Sequence, residues 1–311
     1  MDFNKQIEQL ELRVKARLTP AKKLLQRKTL PGFKGRSIYD VGKFFVDSLF
    51  DSDLNVRASS LAYNFFLSLF PAIIFLFTLI AYIPIDGFQE DLLQQIERVL
   101  PRNTFEALFT TIEDILNNQN ITLLSFGFVL AIYFSSTAFQ NMMTNFNKYT
   151  KQEHKRNWFA SRVRSIWLTL LVTMTVLIMV LVVTYINISL YMLDIEDKTR
   201  YILLQVLQVG SIYFLIYLVY SSLYYFGSSK TAKWNFFSVG SSLATILTVL
   251  ASAAFTFYVN NFSNYNRFYG SVGAFIVLMV FIYFNCTMLL IGFELNSSID
   301  RAEIRSIKNK E

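Results

Sequence analysis

Six long stretches of this chain contain no Asp, Glu, Lys or Arg, and no other feature limits its fold so strongly. They run from Ala58 to Ile85, Ile115 to Asn147, Ser165 to Leu193, Tyr201 to Ser229, Trp234 to Asn266 and Phe268 to Phe293. About 20 helical residues cross the roughly 30 Å hydrocarbon core of a bilayer, so every run is long enough to span it. Inside lipid the backbone must satisfy its own polar groups, which makes apolar runs of this length helices rather than strands. The expected fold is all-α: a polytopic membrane protein with a bundle of six transmembrane helices and amphipathic flanking helices. Trimming polar ends puts the spans near 58–83, 121–143, 166–192, 201–226, 236–260 and 271–297.

Composition agrees with this reading. Of the 311 residues 53% are hydrophobic and only 16% charged, against roughly 25% charged in an ordinary soluble domain. Five Pro and 11 Gly leave no room for a Pro/Gly-rich linker, and no solenoid repeat is visible. The single cysteine, Cys286, excludes an intramolecular disulfide and reads as a buried or lipid-facing thiol.

Orientation follows from Lys and Arg. Twelve lie up to Arg57, six in 144–165, two in 227–235 and four after 297, whereas the alternate loops hold only Arg98, Arg102, Lys198, Arg200 and Arg267. The positive-inside rule then places both termini in the cytoplasm. The net charge of +7 belongs to that face, where it would meet membrane lipids and, among them, anionic phospholipid headgroups. A basic patch of this origin calls for no nucleic acid.

The first 36 residues are charged and lack the apolar core of a cleavable signal, so insertion is expected to be directed by the first span. Three regions result: a basic cytoplasmic amphipathic extension (1–36), the transmembrane domain (37–300) and a cytoplasmic tail (301–311). In the extension Ile7, Leu10, Val14 and Leu18 recur at helical spacing among basic residues, which suits either the inner leaflet surface or a solvated cytoplasmic helix. Ser37 to Leu49, with Ile38, Val41, Phe44 and Phe45, reads as a helix along the interface. The external loop 84–120 carries two short amphipathic patterns separated by Pro101, a structural lid rather than a domain.

Catalytic constellations are nearly absent. His154 is the only histidine and sits in a basic loop between Glu153 and Lys155, so neither a Ser-His-Asp triad nor a histidine metal site can be built from visible neighbours. No phosphate-binding loop ending in Gly-Lys-Ser/Thr occurs. The carboxylates of the first external loop, Glu90, Asp91, Glu97, Glu113 and Asp114, read as polar faces of its helices. No catalytic, cofactor or metal site is expected, and the chain is expected not to be an enzyme.

Polar groups inside the spans carry more information, because there they must find partners or line a wet space. Glu294 is the one Asp, Glu, Lys, Arg or His within the six predicted spans, about one turn from the cytoplasmic end of the last. Two readings follow: a carboxyl that carries a proton or pairs with a cation, or an interfacial group that fixes the depth of its helix. The first span brings Ser60, Asn64 and Ser68 onto one face, followed by Pro71, which removes the hydrogen bond to the Leu67 carbonyl and should kink the helix. The second leaves through Gln140 and Asn141. The fifth carries a hydroxyl stripe of Ser238, Ser241, Thr245, Thr248, Ser252 and Thr256. Together these groups suggest a polar cavity in the cytoplasmic half, built from spans one, two, five and six. Close helix packing is the competing account of the stripe, and Gly240 and Ala244 beside it suit that account.

Two motifs at opposite ends of the six-span chain resemble a known family. The first span reads Leu61-Ala62-Tyr63 and Leu67-Ser68-Leu69-Phe70-Pro71; the last is entered through Tyr269-Gly270-Ser271-Val272-Gly273-Ala274 and ends Gly292-Phe293-Glu294-Leu295-Asn296. In order, these resemble the YihY/BrkB family of bacterial inner-membrane proteins over roughly residues 38–300. The resemblance implies the fold and a multi-pass place in the cytoplasmic membrane. Family members have been labelled ribonuclease BN and linked to serum resistance, but the residues here give a ribonuclease no clustered metal ligands.

The function expected is transport or lipid handling in the cell envelope, through a polar cavity open to the cytoplasm beside an interrupted helix. The alternative is a noncatalytic scaffold or partner subunit of an envelope complex, with envelope proteins as its partners. An enzyme working through the external carboxylates is the third class.

Overall fold

The computed structural model describes residues 25–50, 53–80, 120–147, 158–192, 197–228, 235–262 and 271–308. Residues 7–24 of the first amphipathic segment, the external-loop helices and His154 lie outside the described residues. A short helix α1 (Ile38–Leu49) precedes six long ones, α2 (Asp53–Ile80), α3 (Ile121–Asn147), α4 (Trp158–Met192), α5 (Asp197–Gly227), α6 (Val239–Phe262) and α7 (Ser271–Lys308). All six are long and apolar enough to cross a membrane. No strand occurs among the described residues, only an isolated bridge between Thr29 and Ser37. The chain is an all-α polytopic membrane protein.

The helices outrun the expected spans, α4 by eight residues at its start and α3 by four at its end, and two of the extensions matter for the site. α2 begins at Asp53 and takes in Arg57, and α7 continues past 297 to Lys308. α2 also passes through Pro71 without ending, so the proline costs one rung of the hydrogen-bond ladder and not the helix. The long helices form a closed ring: each packs on its predecessor, and α7 returns to pack on α2. The end where α2, α4 and α6 begin is called basal here, the opposite end apical.

The core is gathered at the basal end. Its buried residues are Leu54, Ala58, Leu61 and Ala62 of α2, Phe139, Met142, Met143 and Phe146 of α3, Leu168 of α4, Tyr220, Leu223 and Tyr224 of α5, Ala244 of α6 and Cys286, Leu289, Leu290 and Phe293 of α7. Phe146 and Phe293 stack at 4.0 Å between centroids with an interplanar angle of 8°. Towards the apical end large apolar side chains turn outward, with Leu181 67% and Tyr185 73% exposed on α4. In water such a surface would aggregate; in a bilayer it is the surface that lipid covers.

α1 starts at Ser37, whose hydroxyl accepts from the Asp40 amide at 3.0 Å and donates to the Asp40 carboxylate at 2.6 Å. It packs on α7: Phe33, Val41, Leu295, Ile299 and Ala302 form a second buried cluster, edged by Ile38, Phe44, Phe45, Val239 and Leu243. The turn before α1 holds Gly32, Lys34 and Gly35 at φ of 86°, 50° and 74°. Lys34 donates to Asp300 at 2.8 Å and Glu303 at 2.9 Å on α7. Partial burial alone would lower the Lys34 pKa, but its hydrogen bonds and ion pairs with these carboxylates outweigh that and raise it. The clamp's contribution is therefore complete below the ordinary lysine pKa and lost as pH rises through the higher folded value. Hydrogen exchange of α1 amides, corrected for its intrinsic rise with pH, should accelerate on that alkaline limb in the parent chain, whereas Lys34→Met should exchange fast at every pH and show no such limb.

Candidate functional site

Glu294 is 0% exposed and meets two arginines. Arg57, 4% exposed in the second turn of α2, donates through Nη1 to Glu294 Oε1 at 2.7 Å and through Nη2 to the Asn145 carbonyl at 3.0 Å. The Asn145 carbonyl belongs to the last turn of α3, where carbonyls lack an intrahelical donor and a cation is favourable. Arg301 lies two turns beyond Glu294 on the same face of α7. Its Nη2 donates to Glu294 Oε2 and to Ser297 Oγ, each at 3.2 Å, and its Nη1 donates to Ser48 Oγ of α1 at 3.1 Å. One carboxylate thus ties α1, α2, α3 and α7 together at the basal end. Buried ions are expensive in an apolar bundle, and this one is held by geometry that satisfies both carboxylate oxygens.

The remaining predicted residues fall into separate groups. Ser60 Oγ accepts from Asn141 Nδ2 at 2.9 Å, and Asn145 Nδ2 donates to Asn141 Oδ1 at 2.7 Å, so α2 and α3 share a polar chain leading to Arg57. Asn64 Nδ2 donates to the Ser60 carbonyl at 2.8 Å and Ser68 Oγ to the Phe65 carbonyl at 2.7 Å, both within α2. Gln140 turns to α4, where its Oε1 accepts from Arg162 Nη1 at 3.2 Å. On the far side Asn296 of α7 joins Ser238 and Gly240: its Nδ2 donates to Ser238 Oγ and its Oδ1 accepts from the Gly240 amide, both at 2.8 Å. Ser241 caps against Ser238, and Thr245 Oγ1 donates to the Ser241 carbonyl at 2.8 Å. Met142, Phe146, Tyr224, Leu290 and Phe293 fill the bundle at this depth. Ser238 and Asn296 line a surface cleft of about 360 Å³ with Lys34 and Asp300.

α6 and α7 approach so closely that a Cβ on Gly240 would fall on the Gly292 carbonyl, and one on Gly292 would lie 2.5 Å from the Gly240 carbonyl and from the Tyr224 hydroxyl. Tyr224 occupies that gap and donates to the Leu289 carbonyl at 2.6 Å. Gly240 and Ala244 were expected to permit close packing; their counterpart is Gly292. Towards the apical end the same two helices diverge around an apolar crevice of about 460 Å³ lined by residues including Ala251, Ala254, Phe255, Val280 and Met288.

Sequence reasoning did not bring Arg57 and Arg301 to Glu294, because both stood outside the predicted spans. The available signal was depth: a carboxyl one turn from the basal end of the last span lies level with the entrance to the first, where Arg57 stands. Among the described residues no group of three or more His, Cys, Asp or Glu could hold a metal ion.

Residues 45–311 match the family described as Virulence factor BrkB. The chain is 31% identical over 256 residues to the putative ribonuclease-like protein YfkH of Bacillus subtilis, covering 79% of this chain and 90% of that protein. It is 25% identical to a UPF0761 membrane protein of Vibrio campbellii, covering 80% and 79% of the two chains. A UPF0761 membrane protein of Histophilus somni is 23% identical over 89% of this chain and 98% of its own length. No solved structure matches. With the match covering Arg57, Glu294 and Arg301 as well as all six long helices, the chain belongs to the BrkB family.

Proposed function

We propose that this protein is a transporter or lipid-handling protein of the bacterial cytoplasmic membrane, not an enzyme, with its basal end and both termini in the cytoplasm. One observation carries the proposal: a fully buried carboxylate bridges two arginines where α1, α2, α3 and α7 converge, at the tightly packed end of a ring that loosens towards the other. Membrane helices gain little from burying apolar groups away from lipid, so an ion pair here has a cost that packing alone does not require. In this reading the Arg57–Glu294–Arg301 cluster is an inner gate, closed in the conformation described. The polar cavity of the cytoplasmic half opens when the cluster parts, exposing Ser60, Asn64, Asn141 and Ser238. The Lys and Arg excess supports the orientation and would draw anionic headgroups to the inner mouth. The apolar crevice between α6 and α7 supports an amphiphile as cargo, since its volume lies in the range of ligand pockets.

The test is translocation of headgroup-labelled anionic and zwitterionic phospholipids in liposomes. Protein-dependent movement is expected, lost in a folded Glu294→Gln variant; absence of movement with either lipid removes unassisted lipid translocation. Ala254→Phe, which fills part of the crevice, is expected to slow movement several-fold with little change in melting temperature, and an unchanged rate would exclude the crevice from the path. The scaffold alternative is favoured by the completeness of the Glu294 hydrogen bonding. It predicts loss of assembly rather than of flux on breaking the pair.

A further inference from the structure

α1 stands outside the ring, and its attachments converge on the stretch of α7 that carries the ion cluster. Lys34 grips Asp300 and Glu303, Phe33 and Val41 pack against Leu295, Ile299 and Ala302, and the Arg305 guanidinium lies 5.9 Å from the Phe44 ring. Ser48 closes the chain of contacts. Its hydroxyl donates to the Phe44 carbonyl at 2.8 Å and accepts from Arg301 Nη1 at 3.1 Å, while Nη2 of the same guanidinium holds Glu294. Arg301 is thus divided between α1 and the buried carboxylate. The anchoring turn also carries local strain, because Lys34 is a non-glycine residue at φ 50°, in the left-handed region that L-residues seldom adopt. Such a residue persists where surrounding contacts over-determine it, and here the two carboxylates of α7 do so.

We infer that residues 29–49 form a strap that holds the Arg57–Glu294–Arg301 cluster closed, and that release of the Lys34 clamp lets α1 lift, takes Ser48 from Arg301 and loosens the basal end of α7. The geometry suits a reversible device. The clamp lies at the surface, with the Lys34 side chain 32% exposed, so water or a competing cation can reach it, whereas the carboxylate it protects is 0% exposed. This inference rests on reading the cluster as a gate, but its test reads access and not flux.

Cys286 is the only cysteine in the chain. It is 5% exposed in the basal core and lies about 12 Å along α7 beyond Glu294 as seen from the basal end. A charged, membrane-impermeant methanethiosulfonate reagent, applied to vesicles of either orientation holding the full-length protein, therefore reports opening past the cluster. In the parent chain Cys286 should react slowly from both sides. Lys34→Met should raise the rate roughly twofold to fivefold from the basal side alone, the scale of losing a partly exposed ion pair. Lys34→Arg, which keeps the charge, should restore the slow rate, as a merely destabilised protein would not. If Lys34→Met leaves α1 protected from hydrogen exchange, the Phe33→Ala/Lys34→Met pair is used to free it. An unchanged Cys286 rate with α1 freed overturns the strap, as does an α1 that neither variant frees. Glu294→Gln separates the two levels: acceleration by it but not by the strap variants keeps the gate and discards the strap, while acceleration by none discards both.

Discussion

Glu294→Ala should lower the stability of the folded bundle by about 3–5 kcal/mol, read as a lower melting temperature and a smaller folded fraction in denaturant titration. The loss arises less from the missing attraction than from what is left behind. Arg57 is 4% exposed, so deleting Glu294 leaves a buried cation without the carboxylate that offsets the cost of its burial. Arg301, with a side chain 31% exposed, can be hydrated and should contribute less. The effect is therefore strongly non-additive. Arg57→Ala/Glu294→Ala should be more stable than Glu294→Ala alone, because removing both ions also removes the burial cost that the surviving one would suffer. Additive losses, or a Glu294→Ala protein within about 1 kcal/mol of the parent, would show that the cluster is open to water and not a seal.

Gly292→Leu should be as damaging for a steric reason. A Cβ there would lie 2.5 Å from the Gly240 carbonyl, 2.5 Å from the Tyr224 hydroxyl and 2.7 Å from Ala244 Cβ. Two of these neighbours sit on the α6 backbone or immediately beside it, so relief requires moving α6 away from α7. That movement breaks the bonds from Asn296 to Gly240 and Ser238, and the side chain beyond Cβ has no space to enter. Overpacking of a core costs about 1–3 kcal/mol where side chains can give way, and more is expected where they cannot. Gly210→Ala supplies the control. A Cβ at Gly210 in α5 would meet nothing within 4 Å, so helix propensity alone should make the variant neutral or more stable by about 0.5–1 kcal/mol. Thermal unfolding of the two purified variants side by side distinguishes the contact from a general intolerance of glycine replacement.

The fold was legible because lipid reduces the possibilities to very few. Charge-free runs longer than a bilayer must be helices, and their number and approximate limits follow without reference to packing. Pro71 shows where local rules stop: its missing amide is certain from its chemistry, yet α2 continues through it, as helices in lipid can when the freed carbonyl finds another partner. The site was partly legible. Glu294 stood out because a carboxylate in a span is costly, and Ser60, Asn141, Ser238 and Asn64 because amides and hydroxyls in lipid need partners.

Which partner each polar group takes depends on contacts between segments far apart in sequence. Arg57 and Glu294 are separated by 237 residues and Lys34 and Asp300 by 266, distances over which no periodicity carries information. Closure of the ring, with α7 against α2, brings Arg57 to Glu294, docking of the segment around α1 on α7 brings Lys34 to Asp300, and packing of α4 on α3 gives Gln140 to Arg162. Gly292 has the same history: as a sequence letter it is one small residue in an apolar run, and it becomes necessary only because Gly240 of another helix crosses it. Hydropathy and charge depend on each residue alone and are set when the chain is written; packing depends on pairs, and only the assembled bundle decides which pairs meet.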